Sequence, residues 1–174
     1  LARSFGALAA ADRVALLADS FALSMAGQQP LSRHFAWLAQ LPKAGGEGRA
    51  PLYALAGAQF KQLDRALHGT PSQARLREAA RALLGPELTR LGWDERSGED
   101  AEERRLRGVL IDVLAQCGDA AVQAQARTRW AAATSAKPLP GSLRESVLRA
   151  LARSATADES KALWSALRAT NSME

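Results

Sequence analysis

A chain of 174 residues, 47% hydrophobic and 24% charged, is long enough to bury roughly 70% of the surface its unfolded form exposes, and this composition excludes a disordered chain. No run approaches the ~20 apolar residues of a spanning helix, because the best, Gly108 to Ala115, is broken by Asp112, so no membrane partner is expected. The excess of 23 Lys and Arg over 18 Asp and Glu gives a net charge of +5, but the arginines are scattered and only 5% of residues are aromatic, so no nucleic-acid partner is expected either.

Apolar residues recur at helical spacing from Val14, Leu17, Phe21 and Met25 onward, with no stretch of period-2 alternation. The spacing predicts helices over 11–26, 30–41, 51–68 and 71–91, the last kinked or split by Pro86. Further helices follow over 99–117, 119–132, 142–153 and 157–169, with the clearest stripe in Leu106, Val109, Leu110, Val113, Leu114 and Cys117. Thr70 with Gln73, Ser142 with Glu145, and Thr156 with Glu159 have capping-box spacing. Gly27, Gly92 and Gly118 stand where a left-handed residue ends a helix, and Asp119 is placed to cap the next one. Pro42 to Gly48 and Thr134 to Gly141 read as the two mobile loops. On the helix from 99, Asp100 with Arg104 and Glu103 with Arg107 are expected to pair at i,i+4 on a solvated face.

Three segments share one plan, in which a helix ends, the chain turns, and the next helix carries a tryptophan: Gly27 to Trp37, Gly118 to Trp130, and Ser154 to Trp164. Such hairpins bury their apolar faces only by stacking on neighbours. The expected fold is therefore all-α, with antiparallel helical hairpins stacked as a HEAT/armadillo-like right-handed superhelix, and Trp37, Trp130 and Trp164 packing between layers. Residues 1–174 read as one helical-repeat domain, and an opening Leu1 without a signal pattern suggests a piece of something longer.

The search for chemistry yields no catalytic, cofactor-binding or metal-binding residue. A hydrolytic zinc site needs three protein ligands, whereas His34 and His68 fall in different helices and outside any His-Glu-x-x-His pattern. Gly45, Gly46 and Gly48 precede no lysine followed by Ser or Thr, there is no Gly-x-Ser-x-Gly elbow, and Glu102 and Glu103 point apart on their helix. Cys117, the sole cysteine, reads as a core side chain; it leaves the compartment open, the cytoplasm being slightly favoured.

Three stretches carry a resemblance. Leu16 to Pro42 has Asp19, Phe21, Leu23, Ala26 and Gly27; Leu91 to Trp130 has Leu-Gly-Trp, an acidic helix start, Leu106-Arg107 and Gly118-Asp119; Pro138 to Thr170 has a proline, Leu143-Arg144 and a Thr156-initiated hairpin. In order and spacing these resemble the helical C-terminal domain of the alanyl, puromycin-sensitive and endoplasmic-reticulum type of zinc aminopeptidases. Ala155, Ser160 and Leu167 depart from the glycine, tryptophan and tyrosine common there. The resemblance implies a non-catalytic domain with no cofactor of its own. Zinc is expected in an upstream catalytic domain of the same polypeptide, which would be one partner, with a peptide substrate as the other. The domain would cap the active site and shape the peptide chamber, an arginine-rich concave face receiving a peptide C-terminus. The alternative is a stand-alone helical-repeat scaffold that binds a protein or peptide.

Overall fold

The computed structural model describes residues 2–43, 45–46, 48–133 and 138–171. Among them stand eight α-helices and no strand: α1 (Ala10–Met25), α2 (Leu31–Leu38), α3 (Arg49–Ala66), α4 (Pro71–Leu91), α5 (Ala101–Gln116), α6 (Ala120–Ala132), α7 (Gly141–Ser154) and α8 (Ala157–Asn171). Short 3-10 segments at Ala2–Ala7 and Leu41–Lys43 complete them.

Helices α1, α3, α5 and α7 pack side by side in that order, while α4 seats against both α3 and α5, and α6 against both α5 and α7. Because α5 is enclosed by four other helices, it is buried on most of its circumference, including the whole run from Leu110 to Ala115. Leu110, Ile111, Val113 and Leu114 are fully buried, each worth roughly 1.5–3 kcal/mol in apolar burial. Small residues set the spacing of this row. A Cβ on Gly57 would lie 3.2 Å from Val109 and 3.3 Å from Val113, and one on Gly108 would lie 3.0 Å from the Ser146 hydroxyl, so α3 and α7 approach α5 where it or its neighbour lacks a side chain.

Several helix ends follow local rules. Gly27, Gly92 and Gly118 all have φ near +70°. At Gly27 and Gly118 paired bonds close a Schellman motif: Gln28 N–H to Leu23 O at 2.9 Å with Gly27 N–H to Ser24 O, and Asp119 N–H to Leu114 O at 3.0 Å with Gly118 N–H to Ala115 O. Asp119 and Asp100 accept from Val122 N–H and Glu103 N–H, and Thr156 with Glu159 forms the full reciprocal capping box. The Thr70 hydroxyl instead donates to Leu67 O, while Gln73 accepts from Gly69 N–H. Ser142 does not cap at all: α7 begins a residue earlier with Pro140 at the cap, and the Ser142 hydroxyl donates to the Glu95 carboxylate.

Helix α4 runs unbroken through Pro86, so of the expected kink or split the split is absent. The residues around the missing N–H are anchored by tertiary contacts: Leu84, Glu87, Leu88 and Leu91 are buried. Of the first glycine-rich loop, Pro42 and Lys43 belong to the Leu41–Lys43 turn, in which Leu41 is buried, and Gly48 (φ +80°) lies so close to Ala10 that a Cβ would stand 2.5 Å from the alanine's; residues 44 and 47 lie outside the described residues. In the second loop residues 134–137 lie outside them too, and Gly141 belongs to α7. Trp37 is half-buried against Phe5 (ring centroids 5.8 Å apart) and Trp130 packs on the core edge. Trp164 contradicts the expected inter-layer role, being 63% exposed, because no described residue of another helix covers that side of α8.

Candidate functional site

The residues weighed for chemistry lie apart. His34 is fully buried in α2 between Phe21 and Phe35, their ring centroids 5.2 and 6.2 Å from its own. Burial holds its imidazole below the usual histidine value, with Gln59 beside it pulling the other way. His68 is exposed at the end of α3, and Cys117 is buried at the end of α5, its thiol pushed up to about 11 chiefly by desolvation. Among the described residues no three His, Cys, Asp or Glu side chains gather as a metal-holding group, and no helix is long and apolar enough to cross a membrane.

What the fold brings together is charge. Buried Glu87 receives Arg49 through three bonds of 2.6 to 3.1 Å and Arg90 through two more. Arg90 continues to Glu103 at 2.9 Å. The expected pairing of Glu103 with Arg107 is therefore replaced, and Asp100 serves as a cap. Arg107 is not on a solvated face. Its side chain is wholly buried, donating to Gly92 O at 2.8 Å and Leu91 O at 3.4 Å and pairing with Glu99, whose side chain is 1% exposed. This bond holds the Glu99 carboxyl below its ordinary range. The arginine ties the 92–100 loop to α5.

A second group lies across α3, α5 and α7. Asp112, the residue that interrupts the apolar run of α5, is buried and receives Lys61 at 2.5 Å, Arg153 at 3.3 Å and Arg149 at 3.5 Å. Desolvation pushes its carboxyl up, but the pull of Lys61 and Arg153 brings it below the usual value. One turn along α3 and α5, buried Asp64 accepts from Arg77 (2.6 and 3.2 Å) and Gln73 of α4 and from Gln116 of α5. Beside these carboxylates open two clefts. One, of about 440 Å³, has an apolar floor of Pro51, Ala54, Ala58, Leu106 and Val109 with Lys61, Glu102 and Arg105 as its charged lining; the other, about 560 Å³, is polar. The sequence names none of these residues as a site, although a lone aspartate inside an otherwise apolar stripe was the available signal.

Arg105 makes no ion pair among the described residues, so it remains open to a ligand. The apolar floor can take apolar groups, and the Arg105 guanidinium can donate charge-assisted hydrogen bonds to a carboxylate, with Glu102 beside it. They supply no nucleophile and no general base held by a third group.

Comparison with known proteins places the chain. Aminopeptidase M1-A of Oryza sativa subsp. japonica is 30% identical over 124 residues, which cover 71% of this chain and 14% of that protein; the chain thus matches only a small part of this relative's length. The family model of the ERAP1-like C-terminal domain matches residues 1–174. The chain belongs to the ERAP1-like C-terminal domain family.

Proposed function

We propose that this chain is the non-catalytic C-terminal domain of a zinc metallo-aminopeptidase, capping an active site carried upstream and walling the chamber in which peptides lose their N-terminal residues. The observation that carries the reading is the family match over the whole chain, joined to an aminopeptidase relative that is about seven times longer than the matched portion. The row of α1, α3, α5 and α7 would form the inner wall of a curved, HEAT-like superhelix. On that wall the cleft floored by Pro51, Ala54, Ala58, Leu106 and Val109 would take apolar side chains of the peptide, and Arg105 an acidic group. Domain closure over the catalytic part would sequester the peptide during turnover.

Catalytic power would reside outside these residues, which is why the chain's own histidines can be buried in the core or left at a helix end without functional cost. The test is the coding region upstream: it should contain His-Glu-x-x-His with a later glutamate ligand, and the protein expressed from the whole region should bind one zinc and hydrolyse aminoacyl amides. An upstream region without that motif, or a full-length product with no zinc-dependent hydrolysis, would leave the scaffold reading in its place.

A further inference from the structure

The ends of α3, α5 and α7 frame the polar cleft of about 560 Å³, lined by Asp64, Arg65, His68, Arg77, Gln116 and Arg153. Charge there is unbalanced. Among the lining residues three cations, Arg65, Arg77 and Arg153, stand against one carboxylate, Asp64, which Arg77 pairs with, so two positive charges are left uncompensated. The carboxylates are already saturated. Asp64 accepts from Arg77, Gln73 and Gln116, and Asp112 is shared among three cations, with the two arginines at 3.3 Å or beyond. Arg153 therefore keeps guanidinium N–H groups free, and exposed Arg65 has no ion pair among the described residues.

Placement makes these donors converge. Lys61 and Arg65 are one turn apart on α3, Arg149 and Arg153 one turn apart on α7, and buried Asp112 on α5 lies between the two pairs and pins Lys61, Arg149 and Arg153 around it. We propose that the cleft binds a dianionic oxyanion of the phosphate class, with Arg65 and Arg153 as direct donors and Asp112 as the residue that positions Arg153. A dianion neutralises the two uncompensated charges, and tetrahedral oxygens can accept from two guanidinium forks at once. The site adjoins the apolar cleft assigned to peptide without sharing its floor, so it stands or falls apart from the peptidase reading.

The 174-residue chain is titrated with inorganic phosphate, sulfate and acetate at low and constant ionic strength by calorimetry, with 31P resonances followed for phosphate. Saturable one-to-one binding of phosphate and sulfate is expected, with acetate weaker by about tenfold or more. R65Q/R153Q should lose about tenfold or more in phosphate affinity, whereas R75Q/R104Q, which removes the same charge from exposed positions elsewhere, should stay within about twofold. R65Q alone, at an exposed unpaired side chain, keeps the test if the double variant misfolds and should weaken binding by about threefold or more. Acetate binding as tightly as phosphate, equal weakening by both double variants, or no saturable binding at all would overturn the proposal.

Discussion

Replacing Arg107 with alanine would leave the Glu99 carboxylate, its side chain 1% exposed, with only the more distant Arg96 at 3.8 Å, and would also leave the Gly92 and Leu91 carbonyls without their donor. Removing one member of a buried pair costs about 3–5 kcal/mol, because the surviving charge stays desolvated. Against a typical total of about 5–15 kcal/mol this is a large share, and for a domain of this size it corresponds to a fall in Tm of roughly 6–20 °C. Urea unfolding followed by circular dichroism measures it directly, and E99L/R107M should recover part of the loss, since an apolar pair of similar volume leaves no buried charge although the Gly92 and Leu91 carbonyls still lack their donor. A loss below about 1 kcal/mol for R107A would refute the buried pairing and restore Arg107 to the solvated face that its place in an Arg-rich helix suggested.

Acidification should reduce stability in two stages. The folded values of Asp64, Glu87, Glu99 and Asp112 lie below their ordinary 3.8 or 4.5, so their contribution is complete above those values and is lost as pH falls through the lower folded ones. His34, held neutral below its ordinary 6.5, adds an earlier loss that begins as pH drops past that value; H34F should flatten the stability curve between about pH 7 and 5, whatever its overpacking cost, and an unchanged slope would contradict the assignment. Cys117 should resist thiol reagents in the folded protein and react fully once urea unfolds it, because it is 1% exposed with a thiol raised to about 11. W164A should change stability by less than about 1 kcal/mol while F60A costs about 3–5 kcal/mol, since Trp164 is 63% exposed and Phe60 is 1% exposed.

Helix content and most boundaries could be read from the residues, because hydrophobic spacing, capping side chains and positive-φ glycines are local signals that agreed with one another. α4 begins at Pro71 and ends at Leu91 as the pattern indicates, and α8 begins after its Thr156 cap. Where a distant partner decided the outcome, local reading failed. Ser142 turns from its expected cap to Glu95, and Glu103 is drawn to Arg90 on another helix. The polar groups of α3, α5 and α7 were hidden for the same reason: Lys61, Asp112, Arg149 and Arg153 are far apart in sequence, and only the side-by-side packing of their helices joins them. Met25 and Trp164 show the converse error, in which an apolar residue at helical spacing is exposed, uncovered by any other helix among the described residues.

The most direct measurement is steady-state kinetics of the full-length protein carrying R105E, on a small aminoacyl amide and on a series of peptides of increasing length. If these helices wall a peptide chamber, R105E should shift KM for the longer peptides by about tenfold while the small amide, which does not reach the cleft of Pro51, Ala54 and Val109, keeps its kcat/KM. Identical behaviour of variant and parent on every substrate would contradict the account.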